Sequence, residues 1–188
     1  EYQILKVSPE QAESILLQLF NIEGSASSLP GEIDFNFKIK TTNGDGYILK
    51  ISRVDEDTDY LDYQQQLLQY VEKKGGELIS PRVVKDKNGK TISEYTDDQG
   101  NIRKVRLLSW ISGRLWSKVN PQLDELRFTL GKQCGLLTTA LQGFDHALAH
   151  RDFEWDVAQA LWTKQHLDLF NKEEKEILSY FIELFENC

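Results

Sequence analysis

The hydrophobic period of this 188-residue chain changes at Ser112-Gly113, and that change limits the folds open to it. Before that point, short alternating segments bounded by turn residues predominate around two helical stretches. After it, every apolar run has helical spacing. Sheet and later helices are therefore segregated along the chain, which is the pattern of an α+β fold.

Five antiparallel strands are expected, over residues 35–39, 47–51, 82–85, 91–95 and 102–110. Asn43-Gly44-Asp45-Gly46 turns the first pair into a hairpin, while Asn88-Gly89 and Asp98-Gln99-Gly100-Asn101 separate the other three. Residues 24–31 cluster glycine, serine and proline and read as a loop. Ahead of them, Ser8-Pro9-Glu10-Gln11 supplies an N-cap, a first-turn proline and a capping-box partner. Ile15, Leu16, Leu19 and Phe20 then carry a helix to about Asn21. A long helix is inserted after the acidic run Asp55-Glu56-Asp57-Thr58-Asp59. Acidic residues favour the positive end of a helix dipole, so the run reads as a solvated helix start rather than a metal site. Beyond Gly113, helices are expected over 121–141, from Trp155 to about Leu169, and from Lys172 behind an Asn171 cap with Glu174 as its box partner. Gly131 and Gly135 are four apart on the first of these, where they would let another helix approach. The expected organisation is a lobe of sheet and helix over 1–108, a hinge over 109–113 and a partial helical lobe over 114–188.

Composition excludes several classes of function. A net charge of −8 gives no footprint for a phosphate backbone, so nucleic acid is not an expected partner. No run approaches the roughly 18 apolar residues of a membrane span, and no signal sequence opens the chain, so a cytoplasmic location is expected. Cys134 and Cys188 form neither a disulfide framework nor a metal spacing. The chain begins at Glu1, contains no methionine and stops in helical register, which reads as an excised segment.

The candidate chemistry centres on Gly46-Tyr47-Ile48-Leu49-Lys50-Ile51. A phosphoryl-transfer site needs a lysine on the phosphates, a covering loop, metal ions held by carboxylate and amide, and a base for the acceptor hydroxyl. Lys50 suits the first role; the alternative is a lysine that blunts a sheet edge. Leu29-Pro30-Gly31-Glu32-Ile33-Asp34-Phe35-Asn36-Phe37 places a glycine and small polar residues where backbone amides could approach an anion. The inserted helix should offer an acid to the lysine, yet its inward positions read Gln64-Gln65-Gln66. Ser109, Trp110 and Ile111 either expose backbone to an adenine edge or simply end a core strand. His150-Arg151-Asp152 spells the opening of a kinase catalytic loop, but Val157 stands where that motif has asparagine, so the spelling reads as coincidence. Asp145, His146 and His150 read as loop residues rather than metal ligands, and Phe144, Phe153 and Trp155 as core anchors.

These residues resemble the aminoglycoside phosphotransferase-like kinases, which have the protein kinase-like fold. The nearest branch is hydroxylysine-kinase-like and also occurs as an N-terminal module fused to class III aminotransferases. The resemblance rests on residues 29–37, on Tyr47 to Ile51, on Leu61-Asp62-Tyr63-Gln64, on residues 105–113, and on Phe144-Asp145-His146 with residues 150–156. It implies that Lys50 contacts nucleotide phosphates, that Gly31, Asp34 and Asn36 belong to the nucleotide-positioning loop, and that Ser109, Trp110 and Ile111 line the adenine site. Gln64 takes the place of the glutamate that partners the lysine in many members.

The family's catalytic aspartate and its metal-binding asparagine and aspartate have no counterparts before Cys188. No catalytic or metal residue is therefore expected in this chain, and the Mg2+ ligands are expected elsewhere in a full-length parent. The implied cofactor is ATP or GTP with Mg2+. The implied parent activity is phosphorylation of a hydroxyl on a small amino-containing metabolite, the fragment alone being inactive. The competing expectation is a non-catalytic kinase-like module that binds nucleotide or only protein surfaces and feeds a fused aminotransferase. Expected partners are nucleotide, small-molecule substrate and the remainder of the same protein. Self-association is the expected consequence if Ile177, Leu178, Phe181 and Phe185 present an uncovered face.

Overall fold

The computed structural model describes residues 7–31, 34–44, 46–152 and 155–187. The chain forms two compact units, residues 1–145 and 146–188.

The first unit opens with α1, Pro9–Phe20, whose start is fixed by the capping box: Ser8 Oγ accepts from Gln11 N–H, and Gln11 Oε1 accepts from Ser8 N–H. Asn21 ends the helix in the left-handed conformation. Strands β1 (Ser25–Leu29), β2 (Phe35–Lys40) and β3 (Gly46–Ile51) follow, then α2, Thr58–Lys74, and strands β4 (Val83–Val84), β5 (Ser93–Thr96) and β6 (Ile102–Ser109). All pairings are antiparallel in the order β1-β2-β3-β6-β4, with β5 also on β6. Helix α3, Asp124–Leu141, completes the unit.

Residues 25–29 are the sixth strand, where sequence pattern reads a loop. The three serines have little strand preference of their own. Register decides instead: Ala26 lies opposite Ile39, Leu29 lies opposite Asn36, and Glu13 on α1 accepts from the Ala26 N–H. Edge pairing to an already apolar β2 overrides local composition.

The period of two sorts the sheet into two faces. Phe37, Ile39, Leu49, Ile51, Val105 and Leu107 point to one face and are buried with Ala12, Ile15, Leu16 and Phe20 of α1. Asn36, Lys50 and Arg106 stand in one row on the other.

Two turns of the same chemistry brace β5. Asp86 accepts from the N–H of Asn88 and Lys90 and from Ser93 Oγ, and Asp97 accepts from the N–H of Gln99 and Asn101 and from Arg103. Gly89 and Gly100 take the left-handed backbone that closes each turn. Burial pushes the Asp97 carboxyl up, but the Asn101 backbone and side chain, then Arg103 and Gln99, outweigh it and hold its pKa at about 2.

In the second unit, 3₁₀ turns run Ala147–His150 and Val157–Leu169, followed by α4, Lys172–Glu186, with the expected Asn171–Glu174 capping box. The segment expected as a helix from Trp155 to about Leu169 is thus 3₁₀ over Val157–Leu169 rather than α-helical, and it breaks at Gln159. Trp155 is 82% exposed and anchors no core among the described residues, because no fully buried side chain lies near it in this unit; Phe153 lies outside the described residues. Among the described residues, and apart from their own helix backbone and chain neighbours, nothing lies within 4 Å of where a Cβ would stand at Gly131 or Gly135, so no helix approach is seen there. No helix among the described residues is long and apolar enough to cross a membrane.

Three substitutions test this packing. Leu49→Ala removes a fully buried leucine and should cost about 2–5 kcal/mol in denaturant unfolding. Ile177→Ala, at an exposed site, should change stability by less than about 0.5 kcal/mol. Asp97 has a folded pKa of about 2 against an ordinary 3.8, so its contribution is present above about pH 4 and lost as pH falls through 2. Asp97→Asn should lower the melting temperature at neutral pH, and the gap to wild type should close as pH approaches 2. A gap that stays constant over that range contradicts the assignment.

Candidate functional site

The polar row of the sheet is held by register. Lys50 lies directly opposite Asn36 on β2 and opposite Arg106 on β6. Strand β3 is flanked on both sides, so Lys50 does not blunt an edge.

Helix α2 approaches this row with its own local logic. Asp57 caps the helix by accepting from the Asp59 N–H, and Lys73 and Lys74 occupy the last turn, matching the helix dipole at both ends. The acidic run thus serves the helix start, with Glu56 paired to Arg53 at 3.0 Å. Leu61, Gln65 and Val71 are its buried residues. The three glutamines diverge in role. Gln65 Nε2 donates to the Thr91 carbonyl, Gln66 donates to Asp62, and Gln64 Oε1 accepts from Arg106 at 2.7 Å.

The acid expected from the helix comes from the loop instead. Asp34 Oδ2 lies 3.1 Å from Lys50 Nζ and 2.8 Å from Arg106. Asn36 Oδ1 accepts from Lys50 at 2.8 Å, and Asn36 Nδ2 donates to the Asp34 carbonyl at 3.2 Å. Gly31 is required here, since a Cβ on it would stand 2.2 Å from Asn36 Nδ2 and 2.5 Å from the Asp34 carbonyl oxygen. Gly31, Asp34, Asn36, Lys50 and Gln64 are therefore brought together, Gln64 through Arg106.

Arg106 is the residue that sequence reasoning missed. Its side chain is 3% exposed, and its Nε is buried without a hydrogen-bond partner among the described residues. Burial pushes the guanidinium down from its ordinary value, while Asp34 and then Glu56 pull it back up. The available signal was a charge set between the apolar Val105 and Leu107-Leu108. The arrangement presents two cations to one carboxylate oxygen, a geometry suited to an oxyanion.

Ser109, Trp110 and Ile111 lie at the end of β6. Ser109 exchanges bonds with Arg82, its N–H donating to the carbonyl and its Oγ accepting from the N–H. Trp110 N–H donates to the Gly46 carbonyl, its ring abuts Gly46, and Lys38 Nζ lies 4.4 Å from the ring centroid. The sheet bonding therefore runs to Trp110, and Ile111 is exposed.

His146 Nδ1 accepts from the Leu148 N–H, the satisfied loop role expected of it. Phe144 packs between Tyr63 and Tyr70. Asp152 belongs to the second unit. Among the described residues no three His, Cys, Asp or Glu side chains gather to hold a metal ion.

The two cations should differ sharply in structural weight. Arg106→Leu leaves Gln64 without its donor and Asp34 with Lys50 as its remaining cation, and should cost about 3 kcal/mol, the lower end of the scale for breaking a buried pair. Lys50→Ala, at a side chain 24% exposed, should cost less than about 1 kcal/mol. Urea unfolding of both variants checks this, and the reverse order would contradict the geometry.

A family model described as the phosphotransferase enzyme family (APH) matches residues 25–185. No curated protein matches the chain in sequence. Among solved structures, the chain is similar to amicoumacin kinase hAmiN in complex with AMP-PNP, Ca2+ and Ami, with a TM-score of 0.64 and 17% identity. That match covers 94% of this chain and 54% of the other. It is also similar to a microcompartment-associated aminopropanol kinase, with a TM-score of 0.57 and 18% identity, covering 76% of this chain and 43% of the other. The chain thus spans about half the length of these structures, and the likeness is one of fold: the α+β, kinase-like sheet and helices expected from sequence. With 25–185 of its 188 residues matched by the family model, the chain belongs to the phosphotransferase enzyme family.

Proposed function

We propose that this chain is the nucleotide-binding portion of a kinase that phosphorylates a hydroxyl on a small amino-containing metabolite. The observation that carries the reading is Lys50, central in the sheet and partly open to solvent, joined to Asp34 of the loop and to Asn36 of β2, with Gly31 packed against both. Lys50 takes the phosphates of ATP or GTP, and Gly31, Asp34 and Asn36 set the loop over them. Gln64 fixes α2 to the site through Arg106. Ser109, Trp110 and Ile111 form the adenine side of the hinge, which joins the 1–108 lobe to the helices over 114–188. The substrate class is supported by relatives whose names specify amicoumacin and aminopropanol as kinase substrates.

A bound nucleotide supplies the phosphoryl group, and this chain's residues bind and orient it. Among the described residues no three His, Cys, Asp or Glu side chains gather, and no Mg2+ step is assigned to them. Phosphoryl transfer depends on a base and on electrostatic stabilisation by metal. Residues 1–188 by themselves are accordingly expected to transfer no phosphate at a meaningful rate. The non-catalytic reading has one observation in its favour: Gln64, in the place of the lysine's usual acidic partner, binds Arg106 instead.

Calorimetric titration of ATP into wild type and Lys50→Ala tests the binding role. Loss of a charge-assisted phosphate contact should weaken affinity about tenfold or more; equal affinities would remove Lys50 from the phosphate site. Lys50-dependent phosphorylation of an amino alcohol by residues 1–188 would overturn the expectation of inactivity.

A further inference from the structure

Lys50 and Arg106 are direct cross-strand neighbours, a placement in which like charges repel. What makes it tolerable is one atom, Asp34 Oδ2, which both cations share at 3.1 and 2.8 Å. A single oxygen bridging an ammonium and a guanidinium is also what a phosphate group offers, with further acceptor oxygens to spare. We propose that the Asp34 carboxylate holds the place of a phosphate oxygen between Lys50 and Arg106, and that a phosphate-bearing ligand binds by exchanging with it. The proposal rests on the nucleotide reading above and assigns Arg106 as a second phosphate-binding cation.

The surroundings fit an exchange. Asp34 sits just before the first paired residue of β2, so its side chain can turn away without breaking the Phe35–Ile51 pairing. Its backbone carbonyl stays tied to Asn36 while the carboxylate leaves. Lys50 is 24% exposed and gives a ligand its first contact, whereas Arg106 is covered until the carboxylate moves. The Arg106 Nε has no hydrogen-bond partner among the described residues, so the guanidinium has a donor to offer beyond those used by Asp34 and Gln64. Beyond Asp34, the groups that act on the Arg106 guanidinium are Glu56 and Tyr60, and Glu56 is itself paired with Arg53, so with the Asp34 carboxylate turned away Lys50 and Arg106 leave the cluster cationic. Asp34 therefore acts as a built-in competitor that screens for ligands with a phosphate strong enough to displace it.

The test is a titration of ATP, inorganic pyrophosphate and adenosine into the full chain, comparing wild type with Asp34→Asn. The expected result is binding of ATP and pyrophosphate about tenfold tighter in the variant, adenosine unchanged, and the gain abolished by adding Lys50→Ala. Asp34→Ser repeats the comparison should the asparagine variant be unstable. Equal or weaker ATP binding in the variant, with wild-type binding still dependent on Lys50, overturns the exchange and leaves the nucleotide reading standing. A parallel change in ATP and adenosine affinity marks mere loosening of the loop and also overturns it. Absence of ATP binding in wild type and variant alike defeats both readings.

Discussion

A guanidinium taken out of water must be paired, and the Arg106 side chain meets that demand by reaching in two directions at once. One nitrogen donates to Gln64 on α2 and another to Asp34 on the loop before β2. Leaving such a charge unpaired costs several kcal/mol, so sheet, helix and loop are held to a common geometry by one residue. Lys50 then inherits its position: its neighbours across both strands are set by register, and its carboxylate partner is the one Arg106 has already fixed. The opposite face of the same strands carries the apolar residues that α1 buries. A period of two thus separates what stabilises the sheet from what equips it for chemistry.

Much of the fold was legible because its signals are local. The capping boxes at Ser8 and Asn171, the turns around Gly89 and Gly100, and the alternation through Phe37, Ile39, Leu49 and Ile51 each depend on residues a few positions apart. The strand over 25–29 was not legible, since its serines become strand through pairing with β2. The 157–169 segment has helical spacing, yet spacing does not separate a 3₁₀ turn from an α-helix. Trp155 was read as a core anchor because large aromatics usually are, and Gly131 and Gly135 as a place where another helix could approach; each is open among the described residues.

The site divides in the same way. Lys50, Gly31, Asp34 and Asn36 could be named from turn chemistry and strand position. The identity of the acid could not, because Asp34 and Lys50 are brought together by the bend before β2 and not by sequence spacing. Arg106 is invisible to a rule that treats a charged strand residue as solvent-facing. Its burial depends on Asp34 and Gln64, one from each of two distant segments, and no periodicity carries that information.

The central claim is that the Lys50–Arg106 pair receives nucleotide phosphate, and a crystal structure with a non-hydrolysable ATP analogue tests it most directly. The account predicts phosphate oxygens within hydrogen-bonding distance of Lys50 Nζ and of the Arg106 guanidinium, with the Asp34 carboxylate turned away. An analogue bound elsewhere, or phosphates seated while Asp34 still bridges both cations, would contradict it.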